Sequence, residues 1–475
     1  MYYDAVIIGA GITGTMLAKD LSRYDLHVAL LDKENDIANE TTMANSAIVH
    51  TGYDPEDGTL KAELNVKGCR LYPQLCKDLD CLHKTVGAWI AAVGEEEEKH
   101  LDILADRAQR RDIPYAWLSG DEARELEPNL GDNVTKVLSF PTTAIIYPWE
   151  VAIACAEVAV NNGTELYLNT CVDHIEKTTY GYTVRAGEKT FETKTVIDAA
   201  GIFADEIAKM VTEDPGFEIR PRKGEYYVLD HDVEYTKHII FPVPSDKGKG
   251  VLAEPTVHGN TLLGPNSDYV HGTVDTGSTV QGLDYVRENI KKTMKNVPYS
   301  HAIRTFAGLR PSSSSPDFII RDCEDAPGFI LAASIESPGL ASAPAVSLYI
   351  IDLLKQYLSL KEKDGAVMTR KAQPVMKNLS VEERNEYIRR NPKYGHIVCR
   401  CEQISEGEII DSLKGPCGAT TIKGVKKRVR PGMGRCQGGF CEPLVLDILA
   451  RELHKSPQEI LLDGLHSEIL EKENR

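Results

Sequence analysis

The stretch Tyr3-Asp-Ala-Val-Ile-Ile-Gly-Ala-Gly-Ile-Thr-Gly14 decides the fold, together with Asp32, eighteen residues further on at the end of His27-Val-Ala-Leu-Leu-Asp32. It reads as a strand, a glycine turn, a helix and a second strand. In such a βαβ unit Gly9 makes the tight turn, Gly11 lets backbone approach a pyrophosphate, and Gly14 lets helix and strand pack closely. The helix N-terminus offers free N–H groups and a positive dipole end to phosphates. Asp32 is placed to accept from ribose hydroxyls. The glycine spacing alone is a weak signal. With the strand before it, the helix after it and the acid at the expected distance, it reads as a dinucleotide site at the head of the chain.

The 475 residues are enough for two or three domains with their own cores, and the 42% apolar content is that of a globular protein. A net charge of −17 argues against nucleic-acid binding, which needs a basic surface. Strand sequence begins at once, with no basic segment leading into an apolar one, and no apolar run reaches the ~18 residues of a membrane span. The expectation is a cytoplasmic protein. Among eleven cysteines, Cys69, Cys76, Cys81, Cys155, Cys171 and Cys323 stand singly and read as buried thiols in a reducing compartment. Cys399, Cys401, Cys436 and Cys441 are grouped, which makes them a candidate site.

After Asp32 comes a polar, small-residue segment, Asn39-Glu-Thr-Thr-Met-Ala-Asn-Ser-Ala-Ile-Val-His-Thr-Gly-Tyr53. Its hydroxyls and amides suit diphosphate oxygens or flavin edge atoms, or equally a solvated loop with a cap at Thr41 or Thr42. His50 is the one group in it with a near-neutral intrinsic pKa, so it is a candidate base; a lone histidine is more often structural. Leu60, Leu64, Val66, Leu71 and Leu75 predict a helix over 58–80. Residues 81–146 read as a mixed α/β insertion with a charged helix over 95–111. Thr195-Val-Ile-Asp-Ala-Ala-Gly201 is a buried strand turning into a helix, and residues 220–305 are strand-rich. Lys249 and Arg310 stand in turn-rich or apolar segments and are candidate anion ligands. Ser337-Pro-Gly-Leu340 opens a further helix, so three such turns suggest one nucleotide domain built from discontinuous pieces.

Together, Gly9-Ala-Gly-Ile-Thr-Gly14, Ala44-Asn-Ser-Ala-Ile-Val-His-Thr-Gly52, Asp198-Ala-Ala-Gly201, Phe306-Ala-Gly-Leu-Arg-Pro311 and Ser337-Pro-Gly-Leu340 resemble the D-amino-acid-oxidase-type flavoprotein superfamily. Within it the resemblance is to FAD-dependent glycerol-3-phosphate dehydrogenases and oxidases and to L-2-hydroxyglutarate dehydrogenases. It implies an α/β protein with a GR2-type, Rossmann-like FAD-binding domain over 1–80, 147–220 and 305–360. A β-rich α+β substrate domain over 81–146 and 221–304 would lie above the flavin. The implied cofactor contacts are Gly9, Gly11, Gly14, Asp32, Lys33, Thr41, Asn45, Ser46, Val172, Ala200, Gly201, Gly308, Gly339 and Leu340. By the same resemblance His50 faces the flavin as a catalytic base, and Lys249 and Arg310 clamp a small anionic substrate.

Residues 361–395 are charged and read as a linker. Beyond them, over 396–475, Cys399-Arg-Cys401 is followed after thirty-four residues by Cys436-x4-Cys441. Four thiolates on short loops can hold a 2Fe-2S cluster or zinc; zinc sites more often use C-x2-4-C pairs. Cys399-Arg-Cys-Glu402 and Gly432-Met-Gly-Arg-Cys-Gln-Gly438 resemble the bacterioferritin-associated-ferredoxin-like 2Fe-2S domain, a small α-rich module, although its short free-standing members space the second pair by two residues. Lys423, Lys426, Lys427, Arg428, Arg430 and Arg435 lie between the pairs with no acid from Gly415 to Gln437. They read as offsetting an anionic cluster or docking an acidic partner. The resulting expectation is an FAD dehydrogenase for sn-glycerol 3-phosphate that passes electrons through the cluster to an acceptor subunit, cytoplasmic or peripherally associated with a membrane. The rivals are a dehydrogenase for L-2-hydroxyglutarate or another 2-hydroxy acid, an amine or imino-acid dehydrogenase, and a non-catalytic electron-transfer subunit.

Overall fold

The computed structural model describes residues 2–244, 250–270 and 275–471. Its first sheet is organised around the strand Tyr2–Ile8. Val28–Leu31 and then Glu165–Tyr167 lie parallel on one side, and Lys189–Asp198 and then Ala326–Ala333 lie parallel on the other. Ile319–Cys323 closes the far edge antiparallel. From Ala5 to Ile8 the central strand is an unbroken apolar run because both its faces are covered there. Ala5 and Ile7 pack into the helical layer, and Val6 and Ile8 pack towards the opposite face. That opposite layer includes the meander His174–Thr178 and Gly181–Ala186, which pairs onto Lys189–Asp198.

The helical layer is built from Ile12–Leu21, packed on Pro148–Asn161 and on Gly339–Leu354, with Leu60–Asp78 against the last of these. In Leu60–Asp78 the buried face is carried by Leu64, Gly68, Tyr72 and Cys76, whereas Leu71 is exposed. This corrects the leucine spacing expected for that helix. A Cβ on Gly68 would overlap the backbone at Ala341 and Ser342, so the small residue lets the two helices approach.

The second sheet has nine strands. A long antiparallel pair, Arg222–Leu229 with Ala302–Arg310, forms the part nearest the first sheet's glycine turns. From Arg222–Leu229 the sheet continues through Thr261–Gly264, Leu252–Pro255, Ile239–Pro242, Ala88–Ala92, Lys136–Phe140 and Ala116–Ser119. The boundary expected between residues 304 and 305 falls inside Ala302–Arg310, because its pairing with Arg222–Leu229 runs unbroken past that point. A small sheet of Ile48–Val49, Ala144–Ile146 and His83–Thr85 joins the two large ones.

Residues 361–395 run back along the first domain. Glu362 bridges to Tyr24, and Arg370 pairs with Glu157 at 2.7 Å. The cysteine-bearing module beyond has its own core, where Ile409, Val425 and Leu449 from three short helices meet Val398 and Ile404. Among the described residues no helix is long and apolar enough to cross a membrane.

Candidate functional site

A cavity of about 580 Å3 lies where the glycine turns of the first sheet meet the long strand pair of the second. Gly9 turns with φ of +109°, the left-handed region that favours glycine, and a Cβ there would overlap the carbonyl of Ala199. Gly14 stands behind the turn, where a Cβ would overlap the carbonyl oxygen of Gly9, so its part is helix-to-strand packing. Gly11 and Gly201 line the cavity, and a Cβ on Gly201 would point into open space. A phosphate-bearing cofactor fits this cradle of bare backbone at a helix N-terminus.

Asp32 also lines the cavity, but its Oδ2 already accepts from the Ala10 amide at 2.5 Å and its Oδ1 from Glu34 at 2.8 Å. Burial pushes its carboxyl up to about 6. Each oxygen keeps a second lone pair for a ribose hydroxyl. Lys33 reaches the cavity rim, paired with Glu34 and Glu40 and lying over the Phe203 ring. Val172, Ala200, Gly339 and Leu340 complete this half of the wall. So does Cys171, which is exposed, contrary to its expected burial, because it lies in the open segment that borders the cavity.

The loop over 39–53 forms the floor, and most of its polar groups hold the loop itself. The Asn45 amide donates to the carbonyls of Thr41 and Thr42 and its oxygen accepts from Ala47 N–H. Thr41 Oγ1 donates to the Leu309 carbonyl at 2.7 Å, which ties the floor to the second sheet. Gly308 makes that contact feasible, since a Cβ there would overlap the carbonyl of Ala44. Ser46 hydrogen-bonds the Tyr226 hydroxyl at 3.0 Å, and Tyr226 stacks on Phe306. His50 is buried at the cavity wall with its ring 5.8 Å from that of Phe241.

Three cationic side chains other than histidine line the cavity among the described residues: Lys33, Arg222 and Arg310. Lys33 is paired as above, and Arg222 meets Glu336 at 2.8 Å, which Lys61 also approaches at 3.2 Å. Arg310 makes a 3.4 Å bond from Nη2 to the Asn266 carbonyl and lies beside the Tyr226 hydroxyl, and its buried Nη1 has no hydrogen-bond partner among the described residues. Its guanidinium lies over Gly224, where any side chain would strike it. Lys249 lies outside the described residues. The reading of the sequence did not single out Arg222, Glu336 and Lys61. The charged start of the strand Arg222-Lys-Gly-Glu225 was the available signal.

The four grouped thiols form two pairs. Cys401 Sγ is 3.7 Å from Cys436 Sγ, and Cys399 shares a hydrogen bond with Cys441 that lowers its thiol to about 6. Backbone N–H groups of Glu402 and Gly432 also favour Cys399 as thiolate, and those of Gly438 and Phe440 do so for Cys436. A Cβ on Gly434 would overlap that of Cys401, so this glycine lets the two loops close on each other. Two sulfur pairs lined by amide donors are a donor set that would suit a 2Fe-2S cluster, while among the described residues no three ligand side chains converge as a site for a single metal ion. Cys417 is buried away from them, with burial pushing its thiol up to about 12.

The cations between the pairs, read as offsetting an anionic cluster or docking an acidic partner, are largely paired with acids of the chain itself. Arg428 grips Asp36 with two bonds of 2.9 Å and Lys427 lies 3.0 Å from the same carboxylate. Arg430 bonds Glu402 at 3.1 Å and the Tyr147 hydroxyl at 3.0 Å, and Tyr147 in turn donates to the Met433 sulfur. Arg435 pairs with Asp230 and Asp232, and Lys423 with Asp463. The bonds to Asp36, Tyr147, Asp230 and Asp232 fasten the cysteine module to both larger domains, and those to Glu402 and Asp463 lie within it.

Residues 4–353 match the family model described as FAD dependent oxidoreductase (DAO), and residues 397–451 match that of the BFD-like [2Fe-2S] binding domain. The chain is 45% identical over 471 residues to the glycerol 3-phosphate dehydrogenase of Caloramator mitchellensis, covering 98% of each. It is 31% identical over 409 residues to the L-2-hydroxyglutarate dehydrogenase of Escherichia coli K12, covering 77% of this chain and 96% of that one. Among solved structures, dithionite-reduced L-alpha-glycerophosphate oxidase from Mycoplasma pneumoniae with FAD bound superposes with a TM-score of 0.75 at 31% identity, covering 79% of this chain and 99% of that chain.

Proposed function

The chain belongs to the FAD-dependent oxidoreductases of the DAO family, and from that membership we propose that it oxidises sn-glycerol 3-phosphate to dihydroxyacetone phosphate and delivers the electrons to an acceptor protein. Arg310 carries the reading on the structural side. It is the cation of the cavity wall without a carboxylate among the described residues, and a fixed guanidinium fork suits phosphate oxygens. The near full-length relative that is a glycerol 3-phosphate dehydrogenase supports the phosphate ester as its ligand.

Bound FAD supplies the hydride acceptor for the alcohol carbon. The chain's own residues supply position and proton transfer. Arg310, with Lys249, holds the anionic end so that the carbinol carbon faces the ring, and His50 takes the hydroxyl proton. Gly9, Gly11, Asp32, Ala200, Gly201, Gly339 and Leu340 would hold the dinucleotide, and Ser46 the floor beneath the flavin. Cys399, Cys401, Cys436 and Cys441 would hold a 2Fe-2S cluster, which supplies one-electron transfer. That chemistry suits delivery to a protein acceptor.

The L-2-hydroxyglutarate relatives carry the rival reading, since Arg310 fits a carboxylate equally well. Anaerobically purified protein mixed with each substrate separately decides between them. Bleaching of the flavin band by glycerol 3-phosphate is the expected result. Bleaching by the diacid alone would transfer the function to the 2-hydroxy acid, and bleaching by neither would refute both.

A further inference from the structure

The loop Cys436-Gln-Gly-Gly-Phe-Cys441 carries Phe440 with 85% of its surface exposed, the most exposed large apolar side chain among the described residues. Its own amide reaches the sulfur of Cys436, so the ring stands one residue away from the cluster ligands. Cys401 and Cys436 are the less buried thiol pair. One turn into the following helix, Leu444 is 42% exposed.

The charge around this ring differs from that of the molecule. Arg400 is exposed between two ligands, Arg304 bonds Gln437 of the same loop at 3.4 Å, and Lys426 borders Cys441 and Glu442. Among the described residues none of the three makes an ion pair within 4.0 Å, unlike Lys427, Arg428, Arg430 and Arg435; Lys426 is half-buried and faces Glu442, so the exposed charge of the patch is carried by Arg304 and Arg400. A chain of net charge −17 steers acidic proteins away, except where such a local patch reverses the field. Aromatic side chains in a desolvated centre with charges at the rim are the pattern of a protein interface. A lipid surface asks for a whole apolar helix face, and here the apolar cover is one turn.

We propose that the Phe440 face is the docking surface for an acidic one-electron carrier protein, which takes one electron per encounter from the reduced module. This rests on the reading that electrons leave through the four-thiol cluster. Holoenzyme reduced by dithionite separates the two, because docking is then read without any substrate. The probes are cytochrome b5, acidic, and cytochrome c, basic. Reduction of cytochrome b5 is expected to slow as salt is raised, and Phe440→Ser to slow it about tenfold. Iron content and reduction of a small neutral quinone are expected to stay unchanged. Arg304→Gln with Arg400→Gln should flatten the salt dependence. Binding of oxidised, isotope-labelled cytochrome b5 to oxidised holoenzyme, followed by NMR line broadening, should weaken in the same variants without turnover. Equal rates for wild type and Phe440→Ser, or faster reduction of cytochrome b5 at high salt, overturn the proposal. So does a Phe440→Ser effect confined to self-association or to binding of phosphatidylglycerol vesicles.

Discussion

Replacing Arg428 with methionine tests whether one buried ion cluster holds the cysteine module to the dinucleotide domain. Asp36 receives both 2.9 Å bonds of Arg428 and lies 3.0 Å from Lys427, and none of the three side chains is more than 9% exposed. Burial works to raise the Asp36 carboxyl, yet Arg428 and then Lys427 hold it down from an ordinary 3.8 to about 2. At 1.36 kcal/mol per pKa unit, that is a net preference of roughly 2 kcal/mol for the charged form in the docked state. Removing one partner of a buried pair costs roughly 3–5 kcal/mol, because the remaining charge is left uncompensated. Lys427 stays beside Asp36, so the loss should lie near the lower end, about 3 kcal/mol, or about a hundredfold in the docked fraction. The sign with pH follows from the depressed carboxyl: its stabilisation is complete above 3.8 and is lost as pH falls through about 2. In Arg428→Met the folded value rises, so docking should fail at a higher pH than in the wild type. Lys427 adds the opposite arm. Burial lowers its ammonium from 10.5 to about 8, so docking should strengthen as pH rises between those values. Calorimetry should show a separate, earlier transition for the module while flavin stays bound, and a protease should cut within 361–395. A wild-type melting profile with an uncut linker at pH 7 would refute the reasoning.

Four further outcomes follow from the site. His50→Asn should lower kcat by roughly 10²–10⁴ with flavin retained, and stopped-flow bleaching at the wild-type rate would remove His50 from proton transfer. Arg310→Ala should raise KM for the phosphate ester about a hundredfold, the scale of a lost charge-assisted hydrogen bond, while the flavin spectrum is kept; an unchanged KM would end its role as a clamp. Gly308→Ala drives a methyl group into the Ala44 carbonyl and should loosen the loop over 39–53, read as faster FAD loss on gel filtration. Metal and sulfide analysis of the purified protein should give two irons and two labile sulfides per chain, with Cys401→Ser losing them; stoichiometric zinc in their place would reject the cluster.

The fold was legible wherever the pattern is local. A strand, a glycine turn and a helix occupy fewer than about twenty residues, and burial on both faces writes itself as an unbroken apolar run. Of the residues picked from short motifs, Gly9, Ser46, His50, Gly201, Arg310 and Gly339 line one cavity although the chain separates them widely. What periodicity could not supply is who faces whom. Leu71 looked like a core position because leucine spacing does not reveal that Gly68 and Tyr72 mark the side on which the neighbouring helix lies. Asn45 lines the cavity as its motif implies, but an amide in a loop carries no sign that it will also hold that loop, with two bonds to Thr41 and Thr42 carbonyls and one from Ala47.

The cations of the cysteine module make the same point over a longer distance. Within their own segment they have no acid, and a sequence reading assigns them outward. Asp36 stands 392 residues before Arg428, and Asp230 205 residues before Arg435, so only the folded chain shows that their counter-charges are its own. That internal pairing narrows the search for a partner rather than ending it. Subtracting the charges that bind the module to the rest of the protein leaves Arg304, Arg400 and Lys426 around one exposed phenyl ring beside the thiols. On the proposed reading an acidic carrier would approach an acidic protein there, and would receive electrons there only if the module stays docked. Arg428→Met and Phe440→Ser should therefore fail differently, the first by releasing the module from the dinucleotide domain and the second by weakening the encounter with the carrier while the module remains in place.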